Sequence, residues 1–372
     1  MIRVLAVDDS ALMRRLLREI FEAEDGFEVS FARDGVEGLQ MLRALKPDVV
    51  TLDVHMPNMG GLECLNRIML EHPCPVVMFS SLTDAGAKET LEALELGAVD
   101  FVLKPSGAVS LKVDAFGPVL VEKTRMASTA RFSSSKRLAE RVRLRTGLGE
   151  APVSAPLSPR RPRPVRQARS GGPAALPPPG SGLVLVGTST GGPPALDALL
   201  EPLPADFPWP IVVAQHMPAS FTGALAARLD RNCALTVSEV VRPVVLQPGH
   251  VYIGRGEADV IVSRRAGGLI AMPAPASPEH RWHPSVDRLV DSAMDAAPAS
   301  QLVGVLMTGM GNDGAQAMTR LSAEGGRTIA ESEESAVVWG MPGELVKLDG
   351  ADFVEPLDNI AERLLALMAT AP

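Results

Sequence analysis

A glycine-rich turn places a serine where a nucleophile could act. Residues 183–186 form a short apolar run typical of a strand, the turn GTSTGGPP follows at residues 187–194, and residues 195–200 have a helical pattern. Ser189 is the central residue of a Gly-x-Ser-x-Gly sequence, the spacing at which a tight strand-to-helix turn exposes a serine hydroxyl. The same turn could instead bind an anion through its backbone N–H groups or serve packing alone, so these residues leave three interpretations open.

A serine nucleophile needs a base and a group that orients the base, and two other strand ends offer them. His216 follows the apolar run at residues 211–214 and is better placed than the other histidines. Asp313 lies in a glycine-rich turn after the apolar run at residues 302–307. That turn could also direct backbone N–H groups at a developing oxyanion. Because the carboxyl ends of parallel strands share one edge of a sheet, we expect Ser189, His216 and Asp313 to meet there.

A second group of polar residues follows apolar runs in the first third of the chain. Its members are Asp8 and Asp9 after the first run, Asp53 after the third, Ser80 after the fourth and Lys104 after the fifth. Carboxylates that converge on one sheet edge repel one another, and a divalent cation with oxygen ligands offsets that repulsion. Mg²⁺ suits such a site when it also handles phosphate, and a lysine and a hydroxyl would add a positive charge and a hydrogen-bond donor.

The alternation of apolar and amphipathic segments predicts the elements that position these residues. In the N-terminal part the predicted strands cover residues 4–7, 29–31 (the weakest), 49–52, 76–79 and 101–103. The predicted helices between them cover residues 11–23, 35–45, 61–71 and 86–96. Strands that alternate with helices at this spacing favour an α/β fold with a doubly wound parallel sheet. We predict two such domains, one flavodoxin-like and one Rossmann-like.

A region rich in proline and arginine separates the two predicted domains. Nine of the 32 prolines lie in residues 151–180, and residues 121–180 contain 13 Lys and Arg against three Glu. This composition predicts a disordered basic linker, which we place at residues 123–180 between domains at residues 1–122 and 181–372. No aromatic residue interrupts the arginines at residues 160–169, so we expect a solvated spacer and no nucleic-acid binding.

Composition excludes several further classes of protein. Hydrophobic residues make up 46% of the chain and charged residues 22%, an ordinary balance for a globular protein. No run of ~18 apolar residues predicts a membrane-spanning helix, and the N-terminus reaches two aspartates too early for a signal peptide. The three cysteines cannot form a disulfide framework. We therefore expect a cytoplasmic protein with no membrane insertion.

Two motifs in the N-terminal part, LDVHMPNMGGLE and GAVDFVLKPSG, resemble the receiver domain of two-component response regulators. The resemblance covers essentially all of residues 1–122 and implies that a histidine kinase phosphorylates Asp53. It further implies that Asp8, Asp9, Asp53 and the His55 backbone carbonyl hold Mg²⁺, and that Ser80 and Lys104 bind the phosphoryl group. Phe101 matches the aromatic switch position of the family, although it lacks a hydroxyl.

The C-terminal part is similar to the catalytic domain of the chemotaxis protein-glutamate methylesterases. The resemblance spans most of residues 181–365 and rests on these segments, in this order: VGTSTGGP, VVAQHMPASFTGALAARL, HPSVDRL, LMTGMGNDGA and ESAVVWGMPG. It implies a catalytic triad of Ser189, His216 and Asp313 and an oxyanion contact from the Met310 backbone N–H. We call the tight turn around Ser189, at residues 187–192, the elbow. Its expected geometry suggests the Thr190 N–H as a second donor to the oxyanion. The esterase chemistry itself calls for no cofactor.

Together these resemblances imply a phosphorylation-regulated serine hydrolase in chemotaxis or a related two-component pathway. It would demethylate glutamate methyl esters, and deamidate glutamines, on methyl-accepting chemoreceptors, and we expect a monomer. The alternative is a signalling adaptor that accepts phosphate and docks on receptors without catalysis. One segment departs from the methylesterase pattern, because Arg255 and Gly256 stand where relatives more often have YIAPGD followed by His. Trp282 and Trp339 could line a substrate groove or pack in the core.

Overall fold

The structure, a computed structural model, describes residues 1–81, 83–105, 113–130 and 182–369. The predicted linker therefore lies outside the described residues from residue 131 to residue 180. Within the described ranges the chain forms two α/β domains, each built on a parallel sheet. The prediction of two doubly wound parallel-sheet domains is confirmed.

The N-terminal domain alternates strands and helices along the chain. Its strands are β1 (Ile2–Val7), β2 (Phe27–Ala32), β3 (Val49–Asp53), β4 (Val76–Ser80) and β5 (Asp100–Leu103). Its helices are α1 (Ala11–Glu22), α2 (Gly35–Leu45), α3 (Gly61–Glu71), α4 (Asp84–Glu95) and α5 (Val113–Ala127). The strands are parallel neighbours in the order β2-β1-β3-β4-β5.

Burial explains why some of these elements were easier to predict than others. Strands β3 and β4 are buried along their whole length because helices cover both faces of the sheet. Strand β2 lies at the edge and keeps half-exposed residues, which accounts for its weak apolar signal. Helices α1 and α2 begin where the Ser10 and Asp34 side chains accept N–H groups of the first turn.

Helix α5 continues beyond the predicted domain boundary at residue 122 and ends at Ala127. Leu120, Thr124 and Ala127 are fully buried on its inner face. The helix therefore packs against the N-terminal domain past the point at which the composition turns basic, because packing rather than composition determines where it ends.

The C-terminal domain holds the longer parallel sheet. Its strands are β6 (Leu183–Thr188), β7 (Ile211–Gln215), β8 (Thr236–Val240), β10 (His250–Gly254), β13 (Leu302–Leu306), β14 (Arg327–Glu331) and β15 (Phe353–Glu355). Its helices are α6 (Gly192–Leu200), α7 (Ala219–Asn232), α8 (Val286–Ala296), α9 (Ala315–Ala323), α10 (Met341–Lys347) and α11 (Leu357–Ala369). The strand order β15-β14-β13-β6-β7-β10-β8 places β6 between β13 and β7.

A small antiparallel sheet, which the sequence analysis did not anticipate, is formed by segments that lie before and after strand β10 in the chain. It consists of β9 (Val244–Val245), β11 (Ala258–Arg265) and β12 (Gly268–Pro275). Strands β11 and β12 form a hairpin against which helix α8 packs. This hairpin contributes Asp259, whose buried carboxylate accepts hydrogen bonds from His283 and from the Ser285 N–H. Asp259 thus fixes the loop at His283 and Ser285 that leads into α8.

The two domains contact each other directly. The Phe101 ring of β5 stacks on Phe221 of α7, with 4.5 Å between ring centroids. Nearby, the buried Arg228 guanidinium pairs with Asp197 at 2.7 Å and reaches Glu95 of α4 at 3.4 Å. None of the helices in the described ranges combines the length and the apolar character required to cross a membrane.

Candidate active site

Ser189 lies at the end of β6 in a turn that is held from two sides. Its backbone N–H donates to the Thr308 carbonyl at 3.0 Å, and its carbonyl accepts the Gln215 side-chain amide at 3.0 Å. Gly191 has φ of +76°, and a Cβ on Gly192 would lie 2.0 Å from the Gln215 Oε1. The glycines of the elbow are therefore required by backbone conformation and by close approach.

His216 follows β7, the strand next to β6. Thr188 and Gln215 are register partners, so the residues that follow them, Ser189 and His216, leave the sheet side by side. The His216 Nε2 lies 2.7 Å from the Asp313 Oδ2. Its Nδ1 is buried and has no hydrogen-bond partner within the described residues. Nδ1 is thus the ring atom left to act as a base.

Asp313 lies in the turn after β13, on the other side of β6. Besides His216 it accepts the Ser285 hydroxyl at 3.0 Å and the N–H groups of Val286 at 2.7 Å and Asp287 at 3.0 Å, at the start of α8. Burial alone would raise the pKa of Asp313, but these hydrogen bonds outweigh it, and the pKa lies below its ordinary value. The N-terminal end of α8 also favours a negative charge.

The two candidate oxyanion donors lie in two turns, Thr190 directly after Ser189 and Met310 in the turn that follows β13. The backbone N–H groups of Met310 and Thr190 donate to no acceptor in the part of the chain that the structure describes. A Cβ on Gly309 would lie 2.9 Å from the Ser189 Cβ, so the Met310 turn approaches the nucleophile closely. Two unused N–H groups beside a serine are the arrangement that an oxyanion requires.

The flat face of Trp282 covers His216. Their rings are stacked with an interplanar angle of 7° and 5.8 Å between centroids. Gly311, with φ of +82°, leaves room for the indole, because a Cβ there would lie 2.5 Å from the ring. Trp282 therefore belongs to the wall of the site. Trp339, by contrast, donates its indole N–H to the Glu331 carbonyl at 2.9 Å, and so it braces the segment behind the site.

The departure at Arg255 and Gly256 also lies beside the site. A Cβ on Gly256 would lie 2.0 Å from the Met217 carbonyl oxygen, next to His216 in the chain. The Gly256 N–H donates to the Thr222 hydroxyl at 3.3 Å, whereas the Arg255 side chain is exposed. The glycine thus lets two loops pack closely, and the arginine projects from them.

The predicted phosphorylation site forms a compact ion-pair cluster at the edge of the N-terminal sheet. The Lys104 ammonium lies 2.6 Å from the Asp53 Oδ2 and 3.0 Å from the Asp8 Oδ2. Burial raises the pKa of Asp53 above its ordinary value, although Lys104 partly offsets this effect. The structure therefore places a buried nucleophilic carboxylate next to a cation that could also pair with a phosphoryl group.

The acidic residues of this cluster fit a divalent cation. One carboxylate oxygen from each of Asp8, Asp9 and Asp53 lies within 4.8 Å of the other two. Three oxygen donors at this spacing match the ligand preference of Mg²⁺. His55 follows on the same loop, and its backbone N–H donates to the Asp53 Oδ1 at 3.3 Å, while its ring pairs with Glu89 at 3.1 Å. The ring is thus engaged away from the acidic cluster.

Ser80 is buried and its hydroxyl is engaged on the α4 side. It accepts the Thr90 hydroxyl at 2.7 Å and lies 3.3 Å from the Gly86 carbonyl oxygen, to which it donates. A bond from Ser80 to a phosphoryl group on Asp53 would require this network to rearrange. The predicted role of Ser80 therefore belongs to a different state of the domain and stays a prediction.

A cleft between the domains joins the two halves of the molecule. Ser189 and His216 line it from the C-terminal domain, and Asp100, Phe101 and Lys123 line it from the N-terminal domain. The Asp100 carboxylate accepts a short hydrogen bond from the hydroxyl of Thr190, the residue after the candidate nucleophile. It also pairs with Lys123 at 2.7 Å. The N-terminal domain therefore covers the serine in this arrangement.

Sequence reasoning missed several of the residues that complete the site. Asp100 and Ser285 both lie in segments that supported the family resemblances, GAVDFVLKPSG and HPSVDRL, so those motifs marked the right stretches without indicating the contacts. Asp259 and Glu331 gave no such signal, because each acts through the backbone of a distant loop.

The fold and the two clusters define a class of protein, a phosphoacceptor receiver domain joined to an α/β domain with a serine-histidine-aspartate site. Comparison with protein families agrees with this class. Residues 4–114 match the response regulator receiver domain family, and residues 184–364 match the CheB methylesterase family.

The chain belongs to the family of protein-glutamate methylesterase/protein-glutamine glutaminases. It is 56% identical over 98% of both chains to protein-glutamate methylesterase/protein-glutamine glutaminase 2 of Rhodopseudomonas palustris. It is 50% identical to protein-glutamate methylesterase/protein-glutamine glutaminase 3 of Rhodospirillum rubrum, over 99% of this chain and 97% of the relative. The crystal structure of the Thermotoga maritima CheB methylesterase catalytic domain is 37% identical, with a TM-score of 0.49 over 50% of this chain and 98% of that chain.

Proposed function

We propose that this protein is a phosphorylation-regulated serine hydrolase that removes methyl esters from glutamates, and deamidates glutamines, on chemoreceptors. The observation that carries the proposal is the arrangement at three adjacent strand ends. There His216 pairs with Asp313 through Nε2 and keeps Nδ1 unpartnered in the cleft that it shares with Ser189. Membership of the methylesterase/glutaminase family supports the choice of substrate.

In the acylation step the His216 Nδ1 accepts the Ser189 hydroxyl proton as the serine oxygen attacks the γ-carbonyl carbon of the substrate glutamate. Asp313 accepts the Nε2–H, which fixes the tautomer and stabilises the imidazolium that forms. The N–H groups of Met310 and Thr190 bind the negative oxygen of the tetrahedral intermediate. The intermediate then collapses, and the imidazolium gives its proton to the departing methoxide, so methanol leaves.

In the second step water hydrolyses the acyl-enzyme. The His216 Nδ1 takes a proton from water, and the resulting hydroxide attacks the same carbonyl carbon. Collapse of the second intermediate returns the proton to Ser189 and releases the free glutamate. A glutamine side chain follows the same course with ammonia as the first leaving group, because both substrates pass through one acyl-enzyme. No cofactor takes part in this esterase and amidase chemistry.

The receiver domain would accept a phosphoryl group from a histidine kinase. An oxygen of the Asp53 carboxylate attacks phosphorus, and the bond from phosphorus to the donor nitrogen breaks. Asp8, Asp9, Asp53 and the His55 carbonyl would hold Mg²⁺, which would offset the negative charge of the incoming group. Lys104, which pairs with Asp53, is placed to pair with the phosphoryl oxygens, and Ser80 would donate its hydroxyl to them after it leaves Thr90.

Regulation would follow from the contacts between the domains. Without phosphate, Asp100 bonds to Thr190 and the Phe101 ring stacks on Phe221, so the receiver covers the cleft. Lys104, which pairs with Asp53, lies three residues after Phe101 in the chain. Phosphorylation of Asp53 would therefore change the end of the sheet from which Phe101 contacts the other domain. A shift from covered to open arrangements would then expose Ser189.

The same proposal extends to the setting and the partners of the protein. The protein would act in the cytoplasm on methyl-accepting chemoreceptors, as a monomer, without binding nucleic acid and without inserting into the membrane. The basic segment predicted as a linker at residues 123–180 would serve as a tether, and we expect its charge to be solvated. These statements rest on the composition of the chain and on the family to which it belongs.

The test is methanol release from methylated receptors by the full chain, with and without a small phosphodonor. Ser189→Ala should abolish release, because it removes the hydroxyl that forms the acyl-enzyme. Asp53→Asn should remove the stimulation by phosphodonor and leave basal release in place. Release that persists in Ser189→Ala would overturn the nucleophile assignment, and a wild-type chain that binds receptors but releases no methanol would favour the adaptor.

A further inference from the structure

A carboxylate outside the predicted triad lies buried directly behind the site. Glu331, the last residue of β14, is fully buried, and in the described part of the chain no Lys, Arg or His side chain pairs with it. Its Oε2 accepts the Thr308 N–H at 2.8 Å, and its Oε1 accepts the Ser335 hydroxyl at 2.9 Å. A buried carboxylate without a paired cation is costly, so what Glu331 contributes here lies in its two hydrogen bonds.

The residue that Glu331 holds, Thr308, contacts the elbow through every other polar group it has. Its carbonyl accepts the Ser189 N–H at 3.0 Å, and its hydroxyl donates to the Thr190 carbonyl at 2.9 Å. The same hydroxyl accepts the Val338 N–H at 3.0 Å. Thr308 therefore connects Glu331 to the backbone of the nucleophile and of the residue after it.

Thr308 also begins the turn that carries the Met310 N–H. The next residue, Gly309, donates to the Val338 carbonyl at 3.0 Å and accepts the N–H groups of Gly340 at 3.1 Å and Met341 at 2.9 Å. One side of the turn is thus held by the segment after β14, and its first residue is held by Glu331. A Cβ on Gly309 would already lie 2.9 Å from the Ser189 Cβ, so small shifts of this turn change the distance from nucleophile to oxyanion donor.

Given the proposed esterase function, we propose that Glu331 is a positioning residue for the reaction. Through Thr308 it fixes the elbow that presents Ser189 relative to the turn that presents the Met310 N–H. Glu331 does not touch substrate and transfers no proton. Its contribution is to the transition state, in which the oxyanion forms, and not to the binding of the receptor.

The experiment compares two substitutions of similar volume in the full chain, assayed with phosphodonor on a methylated receptor. Glu331→Met fills the space but cannot accept the Thr308 N–H, so kcat should fall about 10- to 100-fold while KM changes by less than about twofold. Glu331→Gln keeps an acceptor for Thr308 and a group that can donate to Ser335, so its kcat should stay within about threefold of wild type.

Glu334→Ala, which removes an exposed carboxylate from the following loop, is the matched control and should change neither constant. Thermal unfolding checks that both Glu331 variants are folded; a buried methionine carries no desolvation cost, so folding of Glu331→Met is expected. Wild-type kcat in Glu331→Met, equal losses in Met and Gln variants, or a change in KM alone would overturn the inference. Absence of methanol release from the wild-type chain would instead count against the proposed function.

Discussion

The Asp313 carboxylate stays charged although it is buried, because each of its two oxygens faces two donors. Oδ2 accepts from His216 and from the Val286 N–H, and Oδ1 accepts from the Ser285 hydroxyl and the Asp287 N–H. A hydrogen bond to a charged acceptor is stronger than one between neutral groups. The orientation of His216, the proposed base, is therefore coupled to the start of α8.

Asp313→Asn should lower kcat for methanol release by about three to four orders of magnitude. The amide has one acceptor oxygen, so it must leave either His216 or the α8 N–H groups without a partner, and it cannot stabilise the imidazolium. Asp291→Asn, which alters an exposed carboxylate of the same helix, is the control and should keep wild-type activity. A loss of less than about tenfold in Asp313→Asn would contradict the assigned role.

Glu331 also gives the free energy of unfolding a specific pH dependence. Burial raises the pKa of Glu331 to about 7 from an ordinary 4.5, so the folded state favours the protonated form. This contribution to stability is fully present below about pH 4.5 and is lost as the pH rises through about 7.

Glu331→Gln removes this titration, so its stability relative to wild type should increase as the pH rises from about 4.5 to 8. The rise in the pKa of Glu331 from 4.5 to about 7 corresponds to a change of about 3 kcal/mol in the free energy of unfolding. Denaturant unfolding of both proteins across that range measures the difference, in which the titration of all other groups cancels. A difference that stays constant with pH would show that folding does not raise the pKa of Glu331.

At the scale of elements, the elbow between β6 and α6 depends on glycines that no other residue can replace. A Cβ on Gly192 would lie 2.0 Å from the Gln215 Oε1 and 2.3 Å from the Thr188 Oγ1. Both atoms belong to neighbouring strand ends, and Gln215 also binds the Ser189 carbonyl. The turn therefore packs onto the strands that lead to Ser189 and His216, the proposed nucleophile and base.

Gly192→Ala should displace Gln215, lower the free energy of unfolding by about 1–3 kcal/mol and reduce kcat by about 100-fold or more. The matched control is Gly267→Ala, because a Cβ at that hairpin position meets no atom within 4 Å. Thermal unfolding and methanol release measure both effects. Wild-type activity in Gly192→Ala would contradict the prediction, because it would show that the displacement of Gln215 does not disturb Ser189.

At the scale of the whole molecule, residues of the receiver line the cleft that contains Ser189, so under the proposed function the receiver would compete with the substrate. Asp100 lies between Lys123 of its own domain and Thr190 of the other, and Arg228 joins Asp197 to the α4 side of the receiver. Burial raises the pKa of Asp197 to about 6, while Arg228 opposes this rise. The interface therefore combines polar contacts with the stacked phenylalanines, and a moderate change of free energy can open it.

Asp100→Ala should raise basal methanol release in the absence of phosphodonor, because it removes the contact between the receiver and the elbow. We expect an increase of about fivefold or more, within the range typical of regulatory coupling, and a correspondingly smaller stimulation by phosphodonor. Asp48→Ala removes a receiver carboxylate that, among the described residues, pairs with Arg3 of its own domain, and it serves as the control. Unchanged basal release in Asp100→Ala would show that this contact does not hold the closed arrangement.

The sequence by itself determined the two α/β domains and the residues at the strand ends. Buried parallel strands are continuous apolar runs, and the Gly-rich turn at Ser189 and the acidic residues at Asp53 interrupt that pattern visibly. Since the ends of parallel strands meet at one edge, local signals were enough to group Ser189, His216 and Asp313. The antiparallel hairpin gave no comparable signal, and helix α5, which was not predicted, extends to Ala127 because its inner face packs on the receiver sheet.

Only the tertiary structure decided which contacts hold these residues in place. The pairing of His216 through Nε2, the contact of Asp100 with Thr190 and the support of Thr308 by Glu331 join residues 97, 90 and 23 positions apart. Such contacts depend on strand order and on the relative position of two domains, which no local pattern encodes. The residue types that could react were therefore evident in the sequence. Packing set the orientation of their side chains and placed the N-terminal domain over Ser189.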